Sequence, residues 1–227
     1  MQSRVSVVIP ALNEAESIGA VVASMPWAEI AECTVVDNGS TDGTGDVAAA
    51  AGARVVRSPR GYGAACFAGM KAAVATSDVL VFLDGDGSDV IADLPKIAGP
   101  VLRGEADFVI GSRIRGTRER GSMNFSQVFA AHLIGWLVKL MYGYRYTDMG
   151  AFRAIRRDKL EAMGMTEMTF GWNLEMQVRA IQMELRIVEV PTDYKCRAAG
   201  ESKVSGNLKA SVKTAWRIFG VLVRTRK

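Results

Sequence analysis

Short apolar runs alternate with segments of helical length through the first half of the chain, and this alternation restricts the fold more than any other feature. The runs cover residues 5–10, 33–36, 54–57, 79–83 and 108–110. Most are rich in β-branched residues, as expected of strands buried on both faces. Between them, helices are predicted over about 15–24, 44–51, 64–76 and 93–103. Asn13 is placed to cap the first and Thr44 the second, and Gly52 to end the second. The alternation predicts an α/β fold with a doubly wound, mainly parallel sheet and helices on both faces. Ligands in such sheets bind beyond the carboxyl ends of the strands. Polar residues cluster at those ends here.

The second half is less regular. Residues 111–122 form a basic, glycine-containing loop, and 125–144 an apolar segment interrupted by His132 and Lys139. His132, the only histidine, reads as a structural residue. Further strands are expected over 151–156 and 187–191, a helix near 173–183 and a final helix over 208–223. No repeat, low-complexity stretch or linker divides the 227 residues, so a single domain is expected.

Lys and Arg outnumber Asp and Glu by 28 to 24. That net +4 is too modest for a dedicated nucleic-acid binder but compatible with an anionic substrate or membrane surface. Cys33, Cys66 and Cys196 are odd in number and lack metal-type spacing, which points to reduced thiols. Residues 1–4 lead straight into the first strand with no secretory apolar region, and no apolar run reaches about 18 residues. The expectation is a cytoplasmic chain without a membrane-spanning helix.

The segment Leu83-Asp84-Gly85-Asp86-Gly87-Ser88-Asp89 follows the most hydrophobic strand candidate. Two carboxylates one residue apart on a turn can point the same way. A hard divalent cation needs such oxygen ligands, with phosphate oxygens completing its shell. An isolated Asp-Gly-Asp is common and can be only a solvated acidic turn; its place at a strand's carboxyl end favours function. A calcium loop starting at Asp84 would need Gly sixth and Glu twelfth, where Asp89 and Pro95 stand. A dinucleotide fingerprint over 61–66 lacks its third glycine and follows the third strand instead of the first. Two further strand ends lead into capped helices: Val35-Val36-Asp37-Asn38-Gly39-Ser40-Thr41-Asp42-Gly43-Thr44, and Pro10 through Asn13 and Glu14. Asp37 is placed to accept hydrogen bonds from a ribose or base.

Together these elements resemble the family 2 glycosyltransferases of GT-A fold, and among them the polyprenyl-phosphate mannosyl- and glucosyltransferases. The likeness rests on Pro10, Asn13 and Glu14; on Val36 to Thr44, with Asn38 in place of a second Asp; and on Arg60-Gly61-Tyr62-Gly63. It continues through Asp84, Asp86 and Ser88, Gly111-Ser112-Arg113, Asp148 to Arg153 with altered spacing, and Arg197 to Lys203 with its Gly-x-Ser-Lys ending. Ser88 departs from the usual amide or acidic side chain. The resemblance implies a metal-dependent, inverting transfer of a hexose from a UDP- or GDP-sugar. Residues 1–113 would form the nucleotide-sugar half, 114–203 the acceptor half, and 204–227 a basic amphipathic helix.

The implied donor site comprises Pro10, Asn13, Glu14, Asp37, Asp42, Gly63, Asp84, Gly85, Arg113, Arg197 and Lys203, with Mg²⁺ or Mn²⁺ on Asp84, Asp86 and Ser88. Arg197 and Lys203 would close over the diphosphate, where a guanidinium suits phosphate geometry and a lysine acts as a mobile point charge. Asp148 and Glu175 are the candidates for a general base, which a hydroxyl acceptor needs and an ionised lipid phosphate does not. Either could instead orient the acceptor or brace a loop. A lipid-phosphate acceptor predicts tolerance of Asp148→Asn. Residues 208–223 set Lys209, Lys213 and Arg217 at four-residue intervals, with Val212, Trp216, Phe219 and Val223 on another face. That pattern suits a helix in an anionic membrane interface, on the cytoplasmic face, or a core-packed helix with a solvated basic side. The apolar 125–141 segment could flank a lipid groove or simply be buried. A hydroxyl-directed transferase and a non-catalytic nucleotide- or membrane-binding module are the rival readings.

Overall fold

The computed structural model describes residues 4–199, together with Gly220 and Arg224. Seven strands form one sheet in the order β3-β2-β1-β4-β6-β5-β7. They are β1 (Val5–Ala11), β2 (Glu32–Asp37), β3 (Arg54–Arg57), β4 (Val79–Phe82), β5 (Phe108–Ser112), β6 (Arg153–Arg156) and β7 (Ile187–Pro191). β1 runs parallel to β2 and β4, β2 to β3, and β5 to β7; only β6 is antiparallel, wedged between β4 and β5.

The strand pleat sorts side chains into two cores. Val5, Val7, Ile9 and Ala11 of β1 join Cys33, Val35, Val79 and Val81 on one face. Val8, Val36, Leu80 and Phe82, one residue out of phase, join the other. Both sets are buried, which is why these runs are apolar throughout instead of alternating. Helices α1 (Ala15–Ala23), α2 (Thr44–Ala50) and α4 (Leu94–Leu102, after a short 3₁₀ turn) cover the first face. The second is covered by α3 (Tyr62–Ala72), α5 (Phe125–Tyr142), α6 (Arg157–Ala162) and α7 (Trp172–Gln182). Gly69 lets α3 lie close on β1, because a side-chain carbon there would run into Val8.

Two capping expectations are corrected. Asn13 does not cap α1: its φ is +52°, and its Oδ1 accepts the Thr41 N–H at 2.9 Å. Nor does Thr44 cap its own helix. The first N–H groups of α1 are instead satisfied across the sheet, Glu14 donating to Thr44 Oγ1 at 2.9 Å and Ala15 to Asp42 Oδ2 at 3.0 Å. The turns after β1 and β2 therefore hold each other. α3 begins two residues earlier than expected and ends at Ala72. Lys203 and, apart from Gly220, the expected helix over 208–223 lie outside the described residues.

Candidate functional site

The carboxyl ends of β1, β2, β4 and β5 open on one side of the sheet, and the charged residues singled out in the sequence gather there. Asp37, ending β2, accepts the Ser40 N–H at 2.8 Å and is half-buried. The next residue does more structural work. Asn38 accepts from Gly61 N–H at 2.8 Å and donates through Nδ2 toward Ser58 Oγ, Pro59 O and Gly61 O. An aspartate could not donate these bonds. This accounts for the amide at that position and fixes the turn that launches α3. Gly63 stands in that first turn with no room for a side chain, since one would strike the backbone of Glu167 and Met168. Pro10 lies past the last β1–β4 pair, Val8 with Phe82.

Beyond β4, Gly85 packs down on Ile9 and Ile18, and its carbonyl accepts from Ser17 Oγ at 2.9 Å. This anchors the turn so that Asp84 and Asp86 stand above it. Asp84 is half-buried and its carboxyl accepts no hydrogen bond from the described residues; only its N–H is engaged, with Asp89 Oδ2 at 3.1 Å. Burial first, then the Asp89 and Asp86 charges, push its pKa up to about 8. Burial likewise lifts Asp89 to about 6. Asp86 is held on both oxygens. Its Oδ1 accepts from Ser88 N–H at 2.9 Å and Oγ at 2.5 Å, and its Oδ2 pairs with Arg197 at 2.8 Å.

Arg197 also reaches Glu14 Oε1 at 3.1 Å, so one guanidinium ties the ends of β1 and β4 together. The segment carrying it is pinned by its backbone, Lys195 N–H to Ser88 O at 2.9 Å and Ala198 N–H to Asp86 O at 3.0 Å. A cleft of about 260 Å³ opens beside this contact, lined by Asp86, Ser88, Asn124, Gln127, Tyr194 and Arg197 among others.

Arg113, just past β5, is gripped by Asp148. Its N–H and Nε donate to Oδ2 at 2.9 and 2.8 Å, and its Nη2 to Oδ1 at 2.8 Å. The guanidinium stacks over Tyr194, 4.9 Å from the ring centre. Burial would raise the pKa of Asp148, but its bonds from Arg113 and the Met149 N–H hold it below the usual carboxylate range. Arg153 is fully buried and donates to the carbonyls of Gly150 and Asn173. Glu175 accepts from Thr166 N–H and Oγ1, from Glu167 N–H and from Arg179. Burial opposes its ionisation, yet those bonds lower its pKa. Its partners all belong to its own helix and the loop packed on Gly63, so it braces that loop.

Glu14, Asp84, Asp86, Asp89 and Arg197 thus form one cluster, with Arg113, Asp148 and Tyr194 beside it. Asn13 and Asp42 serve the turn scaffold. His132 is exposed on α5, which corrects its expected structural role. Tyr194 escaped sequence reasoning; the signal was an aromatic three residues before Arg197 and three past the end of β7.

Among the described residues, no group of three or more His, Cys, Asp or Glu side chains could by itself hold a metal ion. Magnesium-like cations are commonly bound by one or two carboxylates plus substrate phosphates, not by an all-protein cage. Asp84, with a carboxyl lacking a donor among the described residues and a charged form opposed by its neighbours, and Asp86 beside it fit that mode.

The sequence profile described as Glycosyl transferase family 2 matches residues 6–164. An uncharacterized glycosyltransferase of Mycobacterium tuberculosis is 39% identical over 211 residues, covering 92% of this chain and 93% of the relative. The undecaprenyl-phosphate mannosyltransferase of Micrococcus luteus is 34% identical over 228 residues, covering 90% and 89%. Among solved structures, glucosyl-3-phosphoglycerate synthase from M. tuberculosis, in complex with Mn²⁺, UDP-glucose and phosphoglyceric acid, superposes with a TM-score of 0.77. It is 22% identical, with 99% of this chain and 80% of that one covered.

Proposed function

The chain belongs to glycosyl transferase family 2, and on that premise we propose that it moves a hexose, with inversion, from a UDP- or GDP-sugar to a polyprenyl-phosphate acceptor. The observation that carries the reading is the contact of Arg197 with Asp86 at the end of β4, beside Asp84, whose carboxyl accepts no hydrogen bond from the described residues. A departing nucleoside diphosphate needs positive charge at the place where negative charge develops. Arg197 supplies a guanidinium there and Arg113 a second, held in orientation by Asp148. Asp84 and Asp86 would hold Mg²⁺ or Mn²⁺, which supplies Lewis-acid stabilisation of the diphosphate. The similarity to a mannosyltransferase acting on undecaprenyl phosphate supports the acceptor.

In the transfer, an ionised phosphate oxygen of the acceptor attacks the anomeric carbon. The bond from that carbon to the diphosphate breaks, and its electron pair leaves with the nucleoside diphosphate. No proton has to move. This agrees with both candidate bases being engaged elsewhere, Asp148 with Arg113 and Glu175 with its loop. Asp148→Asn therefore reports on the Arg113 anchor and not on acceptor class, contrary to the expectation from sequence. The 1–227 chain is read as one domain. On the same reading it acts peripherally at the cytoplasmic face of a membrane. No described helix is long and apolar enough to cross one.

Incubation with labelled UDP- and GDP-hexoses, a polyprenyl phosphate and Mn²⁺ or Mg²⁺, followed by organic extraction, tests the proposal. The expected product is lipid-soluble, acid-labile and alkali-stable, and absent from Asp84→Ala. Label appearing only on a hydroxyl acceptor, as an alkali- and acid-stable glycoside, would overturn it.

A further inference from the structure

The α5 helix presents apolar side chains to both sides. Ala131, Ile134, Gly135 and Val138 are buried. Phe125, Phe129, Leu133, Trp136 and Leu140 are 85, 58, 44, 54 and 70% exposed. At about 100° per residue these five fall within an arc of about 80°, opposite the buried set, on a helix about 27 Å long. Scattered exposed apolar residues are ordinary, but a continuous aromatic and aliphatic stripe marks an interaction surface.

Charge identifies the partner. No Asp or Glu occurs between Gly121 and Thr147, while Lys139 edges the stripe; beyond its ends lie exposed Arg118, Arg120 and Arg145 against one exposed acid, Glu119. Two copies of α5 would bring these like charges together, whereas an anionic surface complements them.

We propose that α5 lies in the interface of an anionic membrane with this stripe among the acyl chains. The placement has a consequence for the cleft. Asn124 and Gln127, at the start of α5, line it together with Asp86 and Arg197. Seating the stripe brings that opening to headgroup level, where a lipid-borne phosphate enters without leaving the bilayer. This last point rests on the lipid-phosphate reading of the site; the docking itself does not.

Flotation with vesicles of phosphatidylglycerol and phosphatidylcholine, free of any polyprenyl phosphate, tests the docking alone. The wild type is expected to float. Phe129→Ser with Trp136→Ser should lower the partition by about a hundredfold or more, since two inserted aromatics are lost. Both positions are exposed, so the melting temperature of the double variant stays near that of the wild type. Trp27→Ser, at an exposed tryptophan next to Gly52 and away from α5, should float normally. Equal flotation of the double variant overturns the proposal. So does a wild type that ignores vesicles but sediments as a dimer that the double variant loses, which would assign the stripe to a second copy. Flotation without sugar transfer would sink the proposed reaction and leave the docking standing; transfer without flotation would do the reverse.

Discussion

Asp148→Asn preserves the shape of a buried side chain and removes its charge, so it separates an anchor from a base. In the wild type this carboxylate takes three hydrogen bonds from Arg113 and one from the Met149 N–H. An asparagine must turn an NH₂ group toward at least one of those donors. Breaking a buried ion pair from one side costs about 3–5 kcal/mol. Arg113 keeps 20% of its side-chain surface in water and the face of Tyr194, which reduces the expected cost to about 2–3 kcal/mol. In a chain of this size each kcal/mol moves the melting temperature by about 2–4 °C, so a fall of about 4–12 °C is expected. Activity should drop with it, because Arg113 loses its orientation, but the pH profile of kcat/KM should keep its form. Thermal unfolding and steady-state kinetics on the same preparation provide the measurement. A variant that melts within about 1 °C of wild type, yet loses activity together with the acidic limb of the profile, would make Asp148 a base and the anchor reading wrong.

Asp84→Asn should abolish stabilisation by Mn²⁺ with UDP or GDP, which at a hundredfold excess over Kd amounts to about 2.7 kcal/mol, and lower transfer by about a thousandfold; a metal-dependent melting shift surviving in the variant counts against the ligand assignment. Asn38→Asp places a carboxylate against Ser58 Oγ and the carbonyls of Pro59 and Gly61, and denaturant unfolding should register a loss of about 1–3 kcal/mol. Asp107 is held down to about 2, chiefly by hydrogen bonds from Arg186. A depressed folded-state pKa gives stability that is present above pH 4 or so and fades as pH falls toward 2. After discounting for solvent screening, Asp107→Asn should cost about 1 kcal/mol at pH 7 and progressively less as pH falls to 2 and below, read from melts across that range.

The sheet was legible because burying a strand on both faces requires an uninterrupted apolar run, as in Val5–Ala11, and nothing else in the sequence imitates it over so few residues. The cluster at the strand ends was legible for a related reason: Asp37, Asp84 and Arg113 follow such runs directly. Interactions across sequence were not. That Asp42 and Thr44 satisfy the start of α1, 27 and 30 residues away, depends on how two neighbouring turns meet. The same limit applies to Asp148, whose partner is 35 residues distant. A carboxylate in a candidate site looks identical in sequence whether it faces substrate or an arginine. Apolarity left the 125–142 segment open for a different reason: periodicity reports that a helix has apolar faces, not how many of them the fold covers.

The charge balance of the site bears on what it is built to accept. Among the described residues, five carboxyl groups, Glu14, Asp84, Asp86, Asp89 and Asp148, surround two guanidiniums, Arg113 and Arg197, an excess of three acidic groups. The excess is felt where Asp84 and Asp89 resist ionisation. A bare diphosphate would add negative charge to a region already short of positive charge. A diphosphate that arrives with a divalent cation brings the missing charge with it, and frees Arg197 from Asp86 to engage phosphate oxygens. Cation and nucleotide should therefore bind with positive cooperativity. Titration of UDP or GDP with and without Mn²⁺ measures it, and by reciprocity the nucleotide must tighten the cation by the same factor. Equal nucleotide affinity in EDTA and in saturating Mn²⁺ would mean that the two arginines suffice and that the acidic turn serves the fold instead.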